Sequence, residues 1–395
     1  MRNAAGLTLT VASSFLAVVA LLVNSPALFY MGTALVATIF ASRAQAKWAV
    51  RDLAIERTVP ERTEVGETIS VTLEVKSARR FARPLVTIQD RIPKSMPHEI
   101  VRASIPLAPS FGQPIQIQYR IRPLRRGVFK WDEAQVWGSD ALGLVLTDSK
   151  VQTNLSQLKV IPKPIPFELN LLYRVQAGFT DTRNRPLAGQ GMDHRGIREY
   201  APGDSLRSIH WKATARATKI LVKEFDSPSS ANALVLIQNH LGSNVGTREG
   251  FSLDLMCGHA AFLIGELVKS AEEVFLEQIQ FDGPDLTIPM DYLAGISADG
   301  SNTLAEKLSQ HLSQEKPFGH HFLFLLRMDH ALVDVLSGDL GAAATLYIYN
   351  PSDFQPGRLA TLDDAIHPEN IRKLERTGAR IQIMTGWQEG IRAAV

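Results

Sequence analysis

The stretch ALVLIQ (residues 233–238) begins with an unbroken run of apolar residues. Similar runs follow it along the chain: VFLEQIQF (274–281), HFLFLLR (321–327), TLYIYN (345–350) and RIQIMTG (380–386). Near-continuous apolar runs of this length are typical of parallel strands that are buried on both faces. The stretch therefore predicts the first strand of a sheet inside an α/β domain.

The segments between these runs have the three-to-four-residue periodicity of helices. They are LDLMCGHAAFLIGELVKSAEE (253–273), TLAEKLSQHL (303–312), DHALVDVLS (329–337) and IHPENIRKLERTG (366–378). Strands that alternate with crossover helices form doubly wound α/β sheets. Residues 231–395 are therefore predicted to form one α/β domain of this kind. Cys257, the single cysteine of the chain, is predicted to be buried in its first helix.

Residues 47–166 have a different rhythm, in which short alternating runs are separated by turn residues. ISVTLEVKS (69–77) and PIQIQYRIRP (114–123) both alternate apolar and polar residues with period two. Regularly spaced strands of this kind predict an all-β, antiparallel sandwich of immunoglobulin-like size. Phe129 and Trp131 lie two residues apart, so one face of a strand is expected to bury both.

The N-terminus carries two apolar runs, at residues 4–23 and 27–41, separated by Asn-Ser-Pro. The first run has about the 20 residues that a helix needs to cross a membrane. Together the runs predict a transmembrane helical hairpin over residues 1–46. Small residues allow two helices to approach closely in lipid. The predicted contact residues are Ser13 and Ala17 in the first helix and Thr33, Ala37 and Ala41 in the second.

Basic residues flank the two apolar runs of this hairpin: Arg2 precedes the first run, and Arg43, Lys47 and Arg51 follow the second. By the positive-inside rule both ends face the cytoplasm. This predicts a multi-pass protein of the cell inner membrane with its soluble domains in the cytoplasm. The alternative is a cleaved signal peptide, because residues 44–46 (Ala-Gln-Ala) have the small-x-small form of a cleavage site. That alternative would place the domains outside the cell.

Charge is divided unevenly along the chain. Residues 43–226 contain 30 Lys and Arg against 19 Asp and Glu, whereas residues 227–395 contain 11 against 21. A basic region that directly follows a membrane helix is attracted to anionic lipid headgroups. Because no nucleic-acid recognition motif accompanies the basic region, we expect an anionic membrane surface as its partner, and no nucleic acid.

Residues 167–230, here called the motif segment, link the two predicted soluble domains and contain REYAPGDSLRSIHWKATARA (198–217). Pro202-Gly203 is typical of a type II turn. The Asp204 carboxylate is positioned in sequence to cap a short helix. In that helix Ile209, Lys212 and Arg216 would share one face. Upstream, Gly189-Gln-Gly191 lacks the third glycine of a dinucleotide motif, and the polar residues around it predict a connector.

Residues 195–223 hold seven basic and two acidic residues, and this excess has two interpretations. In the first, Arg198, Glu199, Asp204 and Arg216 form an ion-pair network above a buried Trp211. In the second, the segment is an exposed recognition surface with bidentate arginines and an aromatic anchor, Trp211 or Tyr200. The sequence leaves both open.

The segment GIREYAPGDSLRSIHWKATARATKILVKEFD (196–226) resembles the defining motif of the bacterial family called domain of unknown function 58. PLRRGVFKWDEAQVWGSDALGLV (123–145) is similar to two further pieces of that family's pattern, Arg-Arg-Gly-x-Tyr/Phe and Asp-x-Leu-Gly-Leu. The resemblance implies a membrane-anchored protein with a von Willebrand factor A-like domain after the motif. It also implies an association with AAA+ ATPases of the MoxR type.

Metal-binding von Willebrand factor A domains place Asp-x-Ser-x-Ser after their first strand, since Mg²⁺ prefers carboxylate and hydroxyl oxygens. Here the first strand is followed by Gln238-Asn239-His240-Leu241-Gly242-Ser243, without a carboxylate. We therefore predict no metal and no cofactor. The alternative is a metal-dependent hydrolase or metal binder that uses Asp282, Asp329 and Asp353, which follow later strands. Other catalytic motifs, such as a nucleophile elbow or a Walker loop, are absent from the sequence.

These observations favour a non-enzymatic, membrane-anchored scaffold or adaptor, whose partner by resemblance is a MoxR-type ATPase acting in the assembly or activation of other proteins. The sequence does not predict an oligomeric state. The candidate partner-binding residues are Arg198, Glu199, Tyr200, Pro202, Gly203, Asp204, Ile209, Trp211, Lys212 and Arg216.

Overall fold

The computed structural model describes residues 4–80, 86–100, 104–107, 109–169, 188–199, 210–216, 219–226, 232–247, 250–269, 273–281, 283–313, 319–355 and 357–384. The chain divides into two units, Met1–Ile161 and Pro162–Val395. The first unit holds a pair of helices and a large β-sheet. The second unit holds the motif segment and the α/β sheet.

Two helices, α1 (Ala4–Val23) and α2 (Pro26–Ala49), open the first unit. Asn24 adopts a left-handed conformation (φ 48°) between them, and the chain reverses there. By length and composition, α2 is long and apolar enough to cross a membrane, and the described side chains of α1 form a shorter apolar stretch, Leu7–Val23. Among the described residues there is therefore one candidate membrane helix, and it is paired with a second apolar helix.

The two helices meet through a different face of α2 from the one predicted. Thr33, Ala37 and Ala41 are exposed, so their prediction as contact residues is wrong. Gly32 is buried instead, and a Cβ added there would lie 3.7 Å from the backbone nitrogen of Ala17. On α1, Ser13 is buried as predicted. Gly32 therefore packs against the backbone of α1 at Ala17, at a distance that would also accept a methyl group.

The rest of the first unit is a nine-stranded β-sheet whose strands share one core, and it is called the sandwich below. Its strands are β1 (Leu53–Thr58), β2 (Arg62–Glu64), β3 (Ile69–Ser77), β4 (Val86–Asp90), β5 (His98–Ile100), β6 (Ser104–Leu107), β7 (Ile115–Pro123), β8 (Gly127–Ser139) and β9 (Leu146–Ile161). Their order in the sheet is β5-β7-β3-β1-β9-β8-β4-β6, and β2 also pairs with β9. Most pairs are antiparallel, as predicted, but β1 and β2 each pair with β9 in parallel.

The core of the sandwich follows the period-two pattern of the sequence. Every second residue of β3, from Ile69 onward, is buried, and these residues join a cluster with the buried side chains of β7, β8 and β9. Phe129 and Trp131 are 7% and 5% exposed, which confirms that one face of β8 buries both. The core also encloses an ion pair, Arg57–Asp90, whose side chains are both fully buried.

The second unit contains the strands β10 (Ala188–Glu199), β11 (Leu221–Asp226), β12 (Ala233–Ile237), β13 (Gly246–Thr247), β14 (Gly250–Phe251), β15 (Val274–Leu276), β16 (Ile279–Phe281), β17 (His320–Leu325), β18 (Ala344–Tyr349) and β19 (Arg380–Met384). Its helices are α3 (Trp211–Thr214), α4 (Ser252–Leu267), α5 (Thr287–Gly295), α6 (Leu304–Leu312), α7 (His330–Val335), α8 (Asp339–Ala342), α9 (Pro368–Glu375) and a 3₁₀ turn (Pro351–Asp353).

The main sheet of this unit has the strand order β16-β15-β12-β17-β18-β19. All neighbours are parallel except the edge strand β16, which is antiparallel to β15. The prediction of one strand over 274–281 is therefore wrong. The chain turns back at Glu277, which has a positive φ of 51°, and forms a hairpin.

Both faces of the sheet are covered, as predicted for a doubly wound arrangement. On one face, leucines of β12 and β17 pack in one cluster with leucines of α6, α7 and α9. On the other, Tyr347 and Phe167 contact each other edge to face, and Phe167 also contacts His259 of α4. Cys257 is fully buried in α4, which confirms its prediction.

Two boundary predictions in this unit differ from the structure. The helix expected over 253–273 ends at Leu267. The connector expected around Gly189 and Gly191 is wrong for this part of the chain, because both residues lie in β10.

Helix α6 begins at a capping box. The Thr303 hydroxyl accepts from the Glu306 N–H, and the Glu306 carboxylate accepts from the Thr303 N–H.

Candidate functional site

The described part of the motif segment is a strand pair with a one-turn helix. β10 pairs antiparallel with β11, so that Arg198 lies opposite Val222 and Glu199 opposite Leu221. Helix α3 is fixed to the start of β11 by two contacts. The His210 N–H donates to the Leu221 carbonyl at 2.8 Å, and the Leu221 N–H donates to the Thr214 hydroxyl at 3.0 Å.

The helix presents its aromatic residue to solvent. Trp211 is 68% exposed and Ile220 is 48% exposed. Arg216 and Lys219, between them in the chain, are also exposed. The expectation that Trp211 is buried is therefore wrong. The ion-pair network itself stays a prediction, because Asp204 and the side chains of Arg198 and Glu199 lie outside what the structure describes. An exposed tryptophan and an exposed arginine close together in the chain have the composition of a typical binding hot spot.

The other candidate residues of this segment are described less fully. Tyr200, Pro202, Gly203, Asp204 and Ile209 lie outside the described residues, and so does the predicted Asp204 cap. For Arg198, Glu199 and Lys212 only the backbone is described. The surface formed by Trp211, Arg216, Lys219 and Ile220 is called the Trp211 surface below.

A second candidate site lies in the α/β sheet, where the carboxyl ends of β12 and β17 meet. The strands connect in opposite directions from this point, and open α/β sheets bind ligands in the crevice formed there. Gln238, directly after β12, is buried and bridges the crevice. Its Oε1 accepts from the N–H groups of Leu326 and Arg327 at 2.9 and 2.8 Å, and its Nε2 donates to the Arg327 carbonyl at 2.9 Å.

The ammonium group of Lys307, on α6, lies beside this bridge. Its Nζ donates to the Ile237 carbonyl at 3.1 Å, to Asn239 Oδ1 at 2.6 Å and to Glu277 Oε1 at 2.6 Å. Both charged side chains are nearly buried, with 12% of Lys307 and 11% of Glu277 exposed. The Tyr292 hydroxyl also donates to Glu277, at 2.6 Å. A lysine cation therefore lies among the oxygen atoms at the end of the first strand.

The acidic residues of the alternative metal site do not form one cluster. Asp282 lies outside the described residues. Asp329 Oδ2 accepts from the Ala305 N–H at 2.8 Å, in the first turn of α6. Asp353 lies in the 3₁₀ turn, where burial raises the pKa of its carboxyl group. Within the described ranges, no group of three His, Cys, Asp or Glu side chains is placed to hold a metal ion.

Two further titratable side chains near the crevice are His240 and Asp364. Burial lowers the pKa of the His240 imidazole, and the positive charges of Lys307 and Arg327 lower it further against the opposing effect of Asp329. The buried Asp364 carboxylate accepts from Arg327 at 2.6 Å and from Arg358 at 3.2 Å. Asp364 is thus held by two arginines, whereas the buried Nδ1 of His240 has no hydrogen-bond partner among the described residues.

Sequence reasoning identified Trp211 and Arg216 but missed Gln238 as a bridge and Lys307 as the buried cation. The available signal was Gln238 itself, a side-chain amide directly after the first apolar run. Lys307 and Glu277 are 30 residues apart in the chain. No local spacing rule pairs residues at such a separation.

We expect Lys307→Met to lower the free energy of unfolding of the second unit by about 2–3 kcal/mol, because it leaves the Glu277 carboxylate nearly buried without its cation. Chemical unfolding of the full chain in detergent measures the change. The matched control is Lys269→Met, whose pair with Glu266 is exposed and should contribute less than about 0.5 kcal/mol. Equal effects of the two substitutions would contradict the assignment.

Comparison with known proteins gives one family match. The sequence model of the family described as "Protein of unknown function DUF58" matches residues 196–290, which include the end of β10, the Trp211 surface, β12 and α4. Among curated proteins, the chain is 23% identical over 189 residues to the uncharacterized protein YeaD of Bacillus subtilis. That alignment covers 45% of each protein, so the chain spans less than half of the length of this relative.

Two solved structures resemble smaller parts of the chain. A CARDB domain from Pyrococcus furiosus aligns over 26% of this chain and 92% of its own length, with 12% identity and a TM-score of 0.18. A protein of unknown function from Porphyromonas gingivalis aligns over 28% of this chain and 48% of its own length, with 9% identity and a TM-score of 0.20. Over residues 196–290, which include the Trp211 surface, the chain is therefore similar to a family of unknown function.

Proposed function

We propose that this protein is a membrane-anchored, non-enzymatic adaptor that binds a partner protein through the Trp211 surface. The exposure of Trp211 carries this proposal, since 68% of the residue faces solvent within a segment that matches the family. Burying an exposed indole against a partner is favourable, and tryptophan and arginine are residue types enriched at binding hot spots.

The anchor in this proposal is the α1–α2 helix pair, which crosses the inner membrane twice and leaves both units in the cytoplasm. The length and composition of α2 support it. So do Arg43, Lys47 and Arg51 at the end of α2, because an excess of basic residues favours the cytoplasmic side. The basic residues of the sandwich then face anionic lipid headgroups.

The proposal gives the second unit a von Willebrand factor A-like fold that binds protein without a metal ion. Its support is the strand order, with the antiparallel strand β16 at one edge, and the crevice between β12 and β17. The contacts of Lys307 with Ile237, Asn239 and Glu277 support a role without a metal, because an ammonium group there repels a second cation.

The partner that we propose is a MoxR-type AAA+ ATPase, on the resemblance of residues 196–226 to the family motif. An adaptor of this kind would hold the ATPase at the membrane during the assembly or activation of other proteins. The Trp211 surface carries basic side chains, so the matching surface of the partner should be acidic with an apolar pocket.

We expect Trp211→Ala to weaken binding of the full chain to a purified MoxR-type ATPase by roughly 30-fold, the effect of losing a hot spot of about 2 kcal/mol. Arg216→Ala should weaken it less. Because both residues are exposed, the melting temperature should not change. Biolayer interferometry on the detergent-solubilised chain measures the affinity.

The matched control is Leu359→Ala, which removes an apolar side chain that is 85% exposed elsewhere in the same unit. It should leave the affinity unchanged. If Trp211→Ala binds as tightly as the unmodified chain, the Trp211 surface is not the docking site. If the unmodified chain itself does not bind the ATPase, the choice of partner is wrong.

A further inference from the structure

The turn between β8 and β9, residues 140–145 with the sequence DALGLV, is built around one buried carboxylate. Asp140 is 3% exposed, and its oxygens accept from the N–H groups of Leu142 at 3.3 Å and Val145 at 2.8 Å. Gly143 has a φ of 68°, which favours glycine. These contacts give the turn a fixed shape, and this shape accounts for the Asp-x-Leu-Gly-Leu pattern in the sequence.

The same turn is attached to helix α2. The Ala141 N–H donates to Gln45 Oε1 at 3.1 Å, and the Ser42 hydroxyl donates to the Asp140 carboxylate. Burial raises the pKa of Asp140, but hydrogen bonds from Val145, Ser42 and Leu142 outweigh it, so the pKa lies below its usual value. The turn and the helix are therefore joined by one buried, charge-assisted hydrogen bond, from Ser42 to Asp140, and by one exposed bond between neutral groups, from Ala141 to Gln45.

Strand β8 fits closely against α2 just before the turn. A Cβ added to Gly138 would lie 2.8 Å from Val50 Cγ1, 2.9 Å from Ala49 Cβ and 3.1 Å from the Ala46 carbonyl oxygen. Distances below 3.0 Å leave no space for a side chain. Gly138 thus brings the strand and the helix into backbone contact.

These contacts fix the direction in which the turn points. Gly138 lies beside Ala49 and Val50, whereas Asp140, two residues further on, contacts Ser42. From Gly138 to the turn, the chain therefore runs along α2 toward the N-terminal, apolar part of the helix. That part is the one that would lie in a membrane.

The turn contacts α2 at a position where we expect the boundary between the lipid acyl chains and the headgroups. A hydrocarbon core of about 30 Å is crossed by about 20 residues of helix. Counted from Pro26, the opposite boundary falls near Gln45, which contacts the turn. Arg43, Lys47 and the exposed Trp48 surround this level, and basic and tryptophan side chains are typical of the headgroup region.

The tip of the turn carries an apolar side chain at this level. Leu142 is 65% exposed, and the backbone contacts of Asp140 on either side of it hold it in place. Leu146, at the start of β9, is 55% exposed. The turn is fixed next to a helix that we expect to lie in the membrane. Lipid is therefore the apolar environment that these exposed leucines can contact.

We propose that the 140–145 turn is a membrane-contact loop that inserts Leu142 into the lipid at the headgroup boundary and fixes the sandwich against the bilayer. The proposal rests on the anchoring of α1 and α2 in the membrane. Beyond that anchoring, the proposal implies that the orientation of the sandwich relative to the bilayer is fixed. The acyl chains next to the headgroups are the ligand of this surface.

The experiment places a fluorescent nitrobenzoxadiazole label on single cysteines of the full chain, in a Cys257→Ala background, in vesicles of phosphatidylethanolamine and phosphatidylglycerol. The test position is Leu142→Cys. The matched control is Leu155→Cys, a leucine on the same strand pair that is 68% exposed but lies further along β9. Phe40→Cys, 65% exposed on α2, reports the anchor itself.

We expect lipids with a spin label on the acyl chain to quench the labels at positions 40 and 142 several-fold more strongly than the label at 155. Aqueous iodide should quench only the label at 155. If position 40 is quenched from the lipid while position 142 is as open to iodide as 155, the turn does not enter the bilayer and the proposal fails, although the anchor remains. If position 40 is open to iodide, the anchor fails and this proposal fails with it.

Discussion

Arg57→Met is expected to lower the free energy of unfolding of the β-sandwich by about 3–5 kcal/mol, the usual effect of removing one partner of a buried ion pair. Arg57 and Asp90 are both fully buried and form a bidentate pair. Without the guanidinium group, the Asp90 carboxylate stays in the core with no cation to compensate its charge. The melting temperature of the first unit measures the loss.

Besides pairing with Asp90, Arg57 forms hydrogen bonds with residues of two other strands, β8 and β9. Its Nη1 donates to the Trp131 carbonyl at 3.0 Å and to Thr153 Oγ1 at 2.8 Å, and its Nη2 donates to the Glu133 carbonyl at 3.0 Å. The guanidinium carbon also lies 5.3 Å from the centre of the Trp131 ring. One side chain thus joins β1 to β8 and β9 at the β8 irregularity between Trp131 and Glu133.

A double variant separates the charge effect from the loss of packing. Arg57→Met with Asp90→Leu removes both charges, so it should be clearly more stable than Arg57→Met alone. The control is Lys76→Met, because the pair of Lys76 with Glu56 is exposed and its loss should not change the melting temperature. A melting temperature for Arg57→Met equal to that of the unmodified chain would contradict this account.

The sequence could predict the alternating strands well because burial on one face leaves a period-two pattern. Strand β3 has the predicted bounds, Ile69–Ser77, and β7 differs from its prediction by one residue. The Arg57–Asp90 pair left no such pattern, since the two residues are 33 positions apart and each resembles a surface residue. The two charged residues come together only when the chain has folded, so the sequence pattern cannot predict their pairing.

The sequence predicts one strand over residues 274–281, where the structure has two strands joined at Glu277, because it contains no turn signal. The run VFLEQIQF contains none of the glycine, asparagine or proline residues that usually mark a tight turn. Glu277 adopts a positive φ of 51° although it has a Cβ. Its side chain binds Lys307 and Tyr292, and these contacts, made by residues far along the chain, stabilise an otherwise unfavourable conformation.

In the candidate site too, residues that belong to a local motif could be predicted from the sequence, whereas residues brought together by the fold could not. The exposed position of Trp211 could not be predicted, because amphipathic spacing within four residues does not distinguish a buried face from an exposed one. Arg216 and Trp211 were found by their local motif alone. Lys307 and Gln238 form a site only after β12, β17 and α6 are assembled, so no local pattern could reveal them.

Lowering the pH below about 6.5 is expected to destabilise the second unit steeply, because three buried histidines must be neutral in the folded state. Burial lowers the pKa of His259 to about 4, of His320 to about 3 and of His321 to about 4. The unfolded chain binds these protons near pH 6.5, so stability is complete above that pH and is lost as the pH falls toward 4.

The packing of these histidines explains their low affinity for protons. His259 lies 2.7 Å from the Tyr349 hydroxyl, and burial raises the pKa of Tyr349, so this neighbour stays neutral and cannot compensate a charged imidazole. His320 Nε2 lies 2.8 Å from Thr345 Oγ1, and the positive charge of Arg380 opposes its protonation. Each histidine contributes a slope of up to about 1.4 kcal/mol per pH unit, so the three together contribute up to about 4 kcal/mol per pH unit.

Urea unfolding of the full chain between pH 7.5 and 4.5 measures this slope, with His259→Gln as the test variant and His330→Gln, at an exposed position, as its control. The test variant should reduce the slope by about 1.4 kcal/mol per pH unit, whereas the control should not change it. A slope that His259→Gln leaves unchanged would mean that His259 accepts its proton without unfolding. A second unit as stable at pH 4.5 as at pH 7.5 would contradict the burial of all three imidazoles.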